Sequence, residues 1–394
     1  MKLENLTIRN VRNLEDVSIP CDRGIHFIWG LNAQGKTSIL ESIFLLSNLR
    51  SFRDSDLSAL LRRGSDQGFV KGAFRIDPGT RAELRIELIK GAARFEKRAY
   101  INQKLTRSAV DYFAQKLPPS PIQFHAINLN PASTDLVRGE PGIRRTYLNQ
   151  VISSESPDYL AVLKHYQQSL DQKNALLKQE SRTEKRIDEE LLDILNRNLI
   201  QSGAKILDFR LRYLQKITPF FREFLGRIAP GQETLNLGYK NGEALYFTGQ
   251  FELQPIENLI ENLHRQFVEK GSLERIRKTS LVGPHRDDLV FKVGDRGTLR
   301  DPDLVDVGSQ GEIRSVLLAL KLSELEQFEA VTGVQPVLLI DDFSSELDST
   351  RRGFLLNYLK DSDLQIFVTS TDNPSQSMDF SGTLIRMSQG RILE

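Results

Sequence analysis

The chain has 394 residues, of which 39% are hydrophobic, 27% charged and 8% aromatic, a globular composition with room for two domains. Its 53 Lys and Arg against 52 Asp and Glu leave a formal charge of +1, so any nucleic-acid contact must come from a local basic patch. The single cysteine, Cys21, excludes an intrachain disulfide and a thiolate zinc cluster. With neither a signal-peptide core nor an apolar run of about 18 residues, the sequence predicts a cytoplasmic protein without membrane contact.

The N-terminal third alternates short β-prone runs with turns. Strands are predicted at residues 3–8, 17–19 and 25–29, followed by a helix over 36–49 with one apolar face formed by Ile39, Ile43, Leu46 and Leu49. More alternating strands are expected between residues 69 and 101, and the prolines at 118, 119 and 121 then break the chain.

Between about 155 and 225 the pattern changes to long amphipathic helices, each at most about 40–60 Å long. Their apolar positions are Leu160, Leu163, Leu170 and Leu177, and then Leu191, Leu195, Leu199 and Ile206. A hairpin is expected around Lys240-Asn241-Gly242, and the strand-and-helix pattern resumes near residue 275. We therefore predict a domain formed by residues 1–150 and 275–394, with residues 151–274 as an inserted, mainly helical lobe.

A complete P-loop pattern follows the third predicted strand. It reads Gly30-Leu31-Asn32-Ala33-Gln34-Gly35-Lys36-Thr37 and leads into Ser38 and a helix. Such a loop turns backbone N–H groups toward one point, where the helix dipole adds positive potential. The pattern predicts that residues 30–38 bind ATP, with Lys36 reaching the β- and γ-phosphates and the Thr37 hydroxyl holding Mg²⁺.

A P-loop needs an acidic partner for the metal. The run Val337-Leu338-Leu339-Ile340-Asp341-Asp342 is an apolar strand that ends in two carboxylates, suited to a buried parallel strand beside the P-loop strand. Asp341 is predicted to bind Mg²⁺ and Asp342 to polarise the attacking water, so that Asp342 and Lys36 are the catalytic candidates.

The signature segment, Ser309-Gln310-Gly311-Glu312, precedes an apolar helix. Ser309 and Glu312 form an S-x-x-E capping box, which by itself only starts a helix. A Ser and a Gly at a helix N-terminus can also grip a phosphate. In that case Ser309, Gln310 and Gly311 must contact the nucleotide of a second subunit, because the chain's own P-loop already holds its own.

Two further segments follow the acidic strand. The turn Ser344-Ser345-Glu346-Leu347-Asp348 is predicted either to place Asp348 as a helix N-cap or to cross the interface between two ATPase heads. The run Gln365-Ile366-Phe367-Val368-Thr369-Ser370-Thr371 is a strand that ends in hydroxyls, and such an end can sense a γ-phosphate.

The P-loop, the signature segment, the acidic strand and the Ser-Glu-Leu-Asp turn occur in the order typical of ABC/SMC-type ATPase heads. Along nearly its full length the chain resembles the RecF family of bacterial recombination proteins. The resemblance rests on Arg12-Asn13, Asn32-Ala33-Gln34-Gly35-Lys36-Thr37, Leu136-Val137-Arg138-Gly139-Glu140-Pro141-Gly142-Ile143-Arg144-Arg145, Gly283-Pro284-His285-Arg286-Asp287-Asp288, Gly308-Ser309-Gln310-Gly311 and residues 339–348. The chain departs from the family at Ala132-Ser133, where an acidic pair is usual, and at Asn149, where Asp is usual.

The resemblance implies an α/β ABC-ATPase-like head of mixed sheets with flanking helices, plus the inserted helical lobe. It also implies an ATP-driven head-to-head homodimer that binds single-stranded or gapped DNA and is released by slow hydrolysis. Such proteins act with RecR and RecO to load recombinase and support the SOS response. Candidate DNA contacts are Arg62, Arg63, Arg144, Arg145, Arg182, Lys185 and Arg186.

Two other functions remain open from the sequence. A P-loop phosphotransferase acting on a small molecule would turn over without dimers or DNA. A Rad50-like nuclease partner would need long coiled coils and a Cys-x-x-Cys hook, which one cysteine and a short helical lobe disfavour.

Overall fold

The computed structural model describes the chain except for residues 22–23, 54–55, 78–79, 92–93, 114–115, 118–119, 122–123, 131–133, 184–187, 232–233, 243, 248–251, 295–300, 343–347, 374–381 and 394. The described helices are α1 (Lys36–Asn48), α2 (Ala109–Phe113), α3 (Asp135–Arg138), α4 (Pro141–Glu155), α5 (Pro157–Thr183), α6 (Glu189–Ile228), α7 (Ile256–Arg277), α8 (Leu304–Val307), α9 (Gln310–Thr332) and α10 (Ser349–Asp361).

The described strands are β1 (Lys2–Val11), β2 (Leu14–Pro20), β3 (Ile25–Trp29), β4 (Gln67–Asp77), β5 (Thr80–Lys90), β6 (Phe95–Ile101), β7 (Lys104–Leu105), β8 (Lys116–Leu117), β9 (Ser120–Pro121), β10 (Ala126–Leu129), β11 (Leu235–Asn241), β12 (Ala244–Phe247), β13 (Asp288–Val293), β14 (Val337–Ile340), β15 (Gln365–Ser370), β16 (Thr383–Ser388) and β17 (Arg391–Leu393). The chain forms two compact units. Unit 1 comprises Met1–Ser133 and Leu317–Glu394, and unit 2 comprises Thr134–Val316.

Unit 1 contains two six-stranded sheets. The antiparallel sheet has the order β2-β1-β4-β5-β6-β7, and its inward positions are alternate apolar residues such as Leu84, Ile86 and Leu88. The second sheet has the order β10-β14-β15-β3-β16-β17 and is parallel except for the β16–β17 hairpin. Its central strands β14 and β15 are buried at every position, as expected for parallel strands that are covered on both faces.

Helix α1 belongs to the core that joins these two sheets. The cluster of buried side chains includes residues of β1, β4 and β5 from one sheet, β14 and β15 from the other, and α1 itself. All of α1 except Thr37 is buried, so the helix is covered on every side and not only on the predicted face. The first turn of this buried helix carries the P-loop lysine and threonine, which gives those side chains a rigid support.

Unit 2 is built on helices α5, α6 and α7 with the small antiparallel sheet β12-β11-β13. Helix α6 has 40 residues, about 60 Å at 1.5 Å per residue. Leu176 and Leu177 of α5 pack with Leu192 and Leu195 of α6 near the end of the helical pair. The predicted long helices and the hairpin at Lys240-Asn241-Gly242 are therefore confirmed.

One placement differs from the prediction. Strand β14 was expected beside the P-loop strand β3, but β15 lies between them. Strand β15 can occupy this position because all of its residues are buried and its polar side chains Gln365 and Thr369 have hydrogen-bond partners. Gln365 donates to the Leu3 carbonyl, and the Thr369 hydroxyl donates to Asp341 at the end of β14. Unit 2 also begins before, and ends after, the predicted lobe of residues 151–274. The assignment of residues 1–150 and 275–394 to one functional head stays a prediction.

Candidate nucleotide-binding site

The P-loop lies between the carboxyl end of β3 and the first turn of α1. Gly30, Ala33 and Gly35 have φ angles of 151°, 63° and 99°, which fall in the region that favours glycine. Gly35 is the N-cap of α1 and provides no side-chain cap, so the first N–H groups of the helix are left for another acceptor. A Cβ atom on Gly30 would collide with the carbonyl oxygen of Met387 on β16, which explains glycine at this position.

Lys36 lies folded over this loop. Its side chain is buried, and its Nζ donates to the carbonyl oxygens of Gly30 at 2.6 Å and Leu31 at 2.9 Å. Burial lowers the pKa of Lys36 from its ordinary value, while the negative charges of Asp342 and Asp341 oppose that shift. The ammonium is thus held at the mouth of the loop, where a phosphate oxygen would replace water and complete its hydrogen bonds.

Asp341 connects the P-loop helix with two neighbouring strands. The Thr37 hydroxyl donates to Asp341 Oδ1 at 3.0 Å, although the two residues are 304 positions apart. The Thr369 hydroxyl donates to the same oxygen at 2.7 Å and accepts a hydrogen bond from the Asp342 N–H at 2.9 Å. A hydroxyl beside a single carboxylate is the protein's usual contribution to Mg²⁺ in a P-loop site, with phosphate and water supplying the other oxygens. The donor set therefore fits this ion.

Asp342 has a φ angle of 51°, a left-handed conformation that Asp tolerates better than most residues. This backbone turn follows directly after β14. The hydroxyl-rich end of β15 is the strand end that, from its sequence, can sense a γ-phosphate. The contact between Thr369 and Asp341 shows that this hydroxyl belongs to the site, and the sequence alone did not indicate that contact.

A second set of contacts joins the β1–β2 turn to the P-loop and α1. Arg12 forms two hydrogen bonds with the buried carboxylate of Glu41 on α1, at 2.9 and 2.7 Å. Asn13 donates to the Ala33 carbonyl at 3.1 Å and accepts from the Ser38 hydroxyl at 3.2 Å. The Arg12-Asn13 pair, known from sequence only as a family feature, therefore has a physical role: it ties the β1–β2 turn to the P-loop and α1.

Gln34 is held at the opposite side of the loop. Its side-chain Oε1 accepts a hydrogen bond from the Gln389 N–H, and its carbonyl accepts one from the Gly390 N–H at 3.1 Å. Leu31, in contrast, is 77% exposed. The P-loop is thus held by hydrogen bonds at Ala33 and Gln34, while Leu31 remains exposed to solvent.

The signature segment lies in unit 2. The Ser309 N–H donates to the Glu312 carboxylate at 2.7 Å, and the Glu312 N–H donates to Ser309 Oγ at 3.2 Å. These reciprocal bonds confirm the predicted capping box, and the bonds from Ser309 lower the pKa of Glu312. Ser309 and Gln310 are exposed, and Gly311 follows them in the first turn of α9. Whether this helix start also contacts a phosphate stays a prediction.

Asp348 is the N-cap of α10. Its carboxylate accepts a hydrogen bond from the Arg351 N–H at 2.9 Å and pairs with the Arg351 guanidinium. This confirms the simpler of the two interpretations of Asp348. The contact across an interface stays a prediction, and residues 344–347 of the same turn lie outside the described residues.

Two of the segments that carry the family resemblance, residues 136–145 and 283–288, contact each other within unit 2. Arg144 forms a two-pronged ion pair with Asp288 at 2.7 and 2.8 Å, and Arg145 donates to the Asp287 carbonyl at 3.0 Å. The fully buried Arg210 donates to Asn149 Oδ1 at 2.9 Å. Asn149, one of the departures from the family, is thus a neutral acceptor for a buried guanidinium. The other departure, Ala132-Ser133, lies outside the described residues.

These contacts bear on the candidate DNA residues. The Arg144 and Arg145 guanidinium groups are engaged inside unit 2, which makes them weaker candidates for a phosphate contact. Arg62 pairs with Glu15 at 3.4 Å on the surface, and Arg63 is exposed. Arg182 lies in the last turn of α5, while Lys185 and Arg186 lie outside the described residues.

Comparison with known proteins decides the family. The profile of the RecF/RecN/SMC N terminal domain matches residues 2–391. The DNA replication and repair protein RecF of Geotalea uraniireducens is 31% identical over 399 residues, with 100% of both chains covered. RecF of Enterococcus faecalis is 32% identical over 394 residues, covering 100% of this chain and 98% of that protein.

The chain belongs to the RecF family. A solved structure of the recombination mediator protein RecF-ATP in the RecFOR pathway matches it with TM-score 0.84 and 30% identity, covering 99% of this chain and 96% of that one. The Smc head domain of Pyrococcus furiosus matches with TM-score 0.51 and 15% identity, covering 99% and 94% of the two chains, a likeness of fold alone. The predicted ABC-ATPase-like head of mixed sheets and flanking helices, with its additional helical part, is thereby confirmed.

No helix within the described parts of this RecF-family chain is both long and apolar enough to cross a membrane. The described residues also contain no cluster of three or more His, Cys, Asp or Glu side chains that could hold a metal ion by themselves. A magnesium ion at Thr37 and Asp341 would therefore depend on the phosphates of a nucleotide for its remaining ligands.

Proposed function

We propose that this RecF-family protein binds ATP and Mg²⁺ at the P-loop and uses them to join two copies of itself on DNA. The observation that carries the proposal is the convergence of Lys36, Thr37 and Asp341 at one end of the parallel sheet. The solved RecF-ATP structure, at 30% identity over nearly the whole chain, supports ATP as the nucleotide.

Each residue has a distinct role in this proposal. The N–H groups of residues 30–38 and the Lys36 ammonium neutralise the triphosphate, and Thr37 with Asp341 holds the magnesium ion. Bound Mg²⁺ supplies charge neutralisation of the phosphate oxygens. Asp342 polarises the attacking water for hydrolysis.

The signature segment provides the second half of the site. Ser309, Gln310 and Gly311 sit at an N-terminus of a long helix and are accessible, which suits a phosphate from a second copy of the chain. Asp348 follows the acidic strand and is proposed to contact the same interface. Two nucleotides shared in this way act as ligands of the dimer, so occupancy and assembly are coupled.

The proposed nucleic-acid partner is single-stranded or gapped DNA, with slow hydrolysis releasing the dimer. The curated relatives are DNA replication and repair proteins, and the solved relatives are recombination mediators of the RecFOR pathway. On that basis RecR and RecO are the proposed protein partners, recombinase loading and SOS induction the proposed roles, and the cytoplasm the proposed location.

Sizing chromatography with light scattering tests this proposal. Wild-type protein and Lys36→Ala are run without nucleotide, with ADP and with ATP and Mg²⁺, then with a gapped duplex. We expect dimers and tighter DNA binding only for wild type with ATP, because Lys36→Ala leaves the triphosphate without its buried cation.

The same experiment separates this function from a small-molecule phosphotransferase. A wild-type protein that hydrolyses ATP while it remains monomeric, with or without DNA, would contradict the ATP-dependent dimer. Unchanged circular dichroism of Lys36→Ala is the control that loss of assembly does not reflect loss of the fold.

A further inference from the structure

The segment that leads into the signature segment runs along the edge of β13. The Val293 N–H donates to the Pro302 carbonyl at 3.0 Å, and Lys292 forms an isolated antiparallel bridge with Asp303. Strand β13 pairs with β11 on its other side. Residues 301–303 thus extend the small sheet of unit 2 just before the chain turns toward Ser309.

Lys292 fixes this segment with its side chain. The side chain is 9% exposed, and its Nζ donates to the Asp301 carbonyl at 2.9 Å and pairs with Asp303 Oδ1 at 3.1 Å. A buried ammonium requires such partners, because an unpaired charge in that position costs several kcal/mol. Breaking the contacts of Lys292 with residues 301 and 303 is therefore unfavourable, and the fold holds this segment against β13.

Asp303 has an unusual use of its carboxylate. It is the N-cap residue of α8, but its side chain makes no capping hydrogen bond. Asp at an N-cap ordinarily accepts a bond from the helix backbone. Here the carboxylate pairs with Lys292 instead. The ion pair therefore attaches the N-cap residue of α8 to strand β13, and the carboxylate does not cap the helix.

From Asp303 to Ser309 the chain has little freedom. Leu304 is fully buried, and the Gly308 N–H donates to the Leu304 carbonyl at 2.8 Å. A Cβ atom on Gly308 would lie 2.5 Å from that same carbonyl oxygen, which requires glycine at the exit of α8. A shift at Asp303 would therefore move Ser309 with it.

We propose that Lys292 is a positioning residue for the signature segment, acting through Asp303 and α8. The inference rests on the proposed function, in which Ser309 contacts the nucleotide of a second copy. A phosphate site tolerates displacement of well under an ångström before its contacts weaken. Lys292 thus sets the strength of the ATP-dependent dimer without touching the nucleotide.

The test compares Lys292→Met with Lys292→Arg and with Lys240→Met, an exposed lysine of the same sheet. The dimer dissociation constant is measured with saturating ATP and Mg²⁺ by analytical ultracentrifugation. ATP binding to the monomer is measured separately with a fluorescent ATP analogue at protein concentrations below that constant.

We expect Lys292→Met to weaken the dimer about tenfold, with Lys292→Arg within about threefold of wild type, since guanidinium keeps the ion pair. Lys240→Met should match wild type. Binding of the ATP analogue to monomers should be equal in all four proteins, because the P-loop is unchanged. If Lys292→Met folds poorly, Asp303→Asn tests the same ion pair, because the Asp303 side chain is 45% exposed and its replacement disturbs the core less. Asp303→Asn should also weaken the dimer.

Failure of the proposed function and failure of the Lys292 role give different results in these measurements. Wild type that does not dimerise with ATP contradicts the proposed function itself. Wild type that dimerises while Lys292→Met and Asp303→Asn dimerise equally well overturns the positioning role and leaves the function intact. A defect that Lys292→Arg does not relieve also counts against the ion pair as its cause.

Discussion

The P-loop of unit 1 and the signature segment of unit 2 are both helix N-termini, but they are prepared for a phosphate in opposite ways. At the P-loop the cap residue is glycine, the first N–H groups have no side-chain cap, and the lysine beside them is buried. At the signature segment Ser309 and Glu312 satisfy each other's N–H groups, and the cap is exposed. The first helix start is open to a ligand, whereas the second is closed on itself.

The difference indicates that the two helix N-termini would bind phosphate with different strengths. In the proposed dimer, a nucleotide would meet helix N–H groups that no side chain caps at the P-loop, whereas a phosphate at Ser309 would displace or share the capping bonds. Phosphate binding at Ser309 would therefore be weaker than at the P-loop, because each capping bond that is lost costs about 1 kcal/mol. Tight binding at the P-loop and weak, reversible engagement at Ser309 are the properties expected of a nucleotide-controlled dimer.

The largest effect should come from Asp342→Asn, which separates hydrolysis from assembly. Asn tolerates the left-handed φ of 51° at this position, but it cannot take up a proton. We expect ATP turnover to fall by about 100-fold or more, with the ATP-bound dimer retained and longer-lived. Phosphate release and sizing chromatography on one preparation measure both. Turnover at the wild-type rate would remove Asp342 from the chemistry.

Ser309→Asp tests directly whether the signature segment is more than a helix cap. Asp caps helices as well as Ser does, so the melting temperature should stay within about 2 °C of wild type. The added negative charge repels a phosphate, and the ATP-dependent dimer should weaken by about tenfold or more. Ser309→Ala, which removes the cap without adding charge, is the matched control for stability. Dimerisation of Ser309→Asp at wild-type strength would leave the capping box as the full explanation of Ser309.

Asp341→Asn should have a smaller effect, confined to the metal. The amide oxygen still accepts the hydrogen bonds of Thr37 and Thr369, so the local geometry is preserved while the charge is lost. The Mg²⁺ concentration for half-maximal ATP binding should rise about tenfold, or about 1.4 kcal/mol. Nucleotide binding without Mg²⁺ should be unchanged or improved. An unaltered Mg²⁺ titration would show that Asp341 does not hold the ion.

The smallest effect concerns unit 2, where two buried groups titrate in opposite senses. His285 contacts the Tyr166 hydroxyl at 2.6 Å and the Ser280 carbonyl at 3.2 Å, and burial lowers the pKa of His285 to about 4. Burial raises the pKa of Asp287 to about 6. As pH falls from 6.5 to 4, the unfolded chain gains a proton at His285 first, which destabilises the fold, while folded Asp287 takes up a proton more readily than unfolded Asp287, which stabilises it.

The two contributions offset each other in the wild type, and His285→Gln should remove only the destabilising one. The free energy of unfolding of His285→Gln, relative to wild type, should therefore rise on acidification through this window by at most about 1.4 kcal/mol per pH unit. Calorimetric melting between pH 4 and 7 measures the difference. Parallel pH curves for the two proteins would mean that His285 does not titrate as its burial indicates.

The sequence by itself identified the P-loop, the acidic strand end and the capping box, because each depends on residues that are neighbours along the chain. The glycines and Lys36 act through local backbone geometry, and Ser309 and Glu312 are one helical turn apart. Periodicity likewise predicted β1 to β5, the long helices α5 and α6, and the hairpin of β11 and β12.

Only the tertiary structure decided which distant residues complete these motifs. It placed β15 between β14 and β3, brought Thr369 to Asp341, paired Arg12 with Glu41 and Arg144 with Asp288, and set Lys292 against Asp303. Such contacts depend on strand order and on helix packing against sheets, which are cooperative properties of the whole core. A residue pattern along the chain carries the local preference for a helix or a strand, but it does not carry the order in which strands assemble or the partner that a buried charge will find.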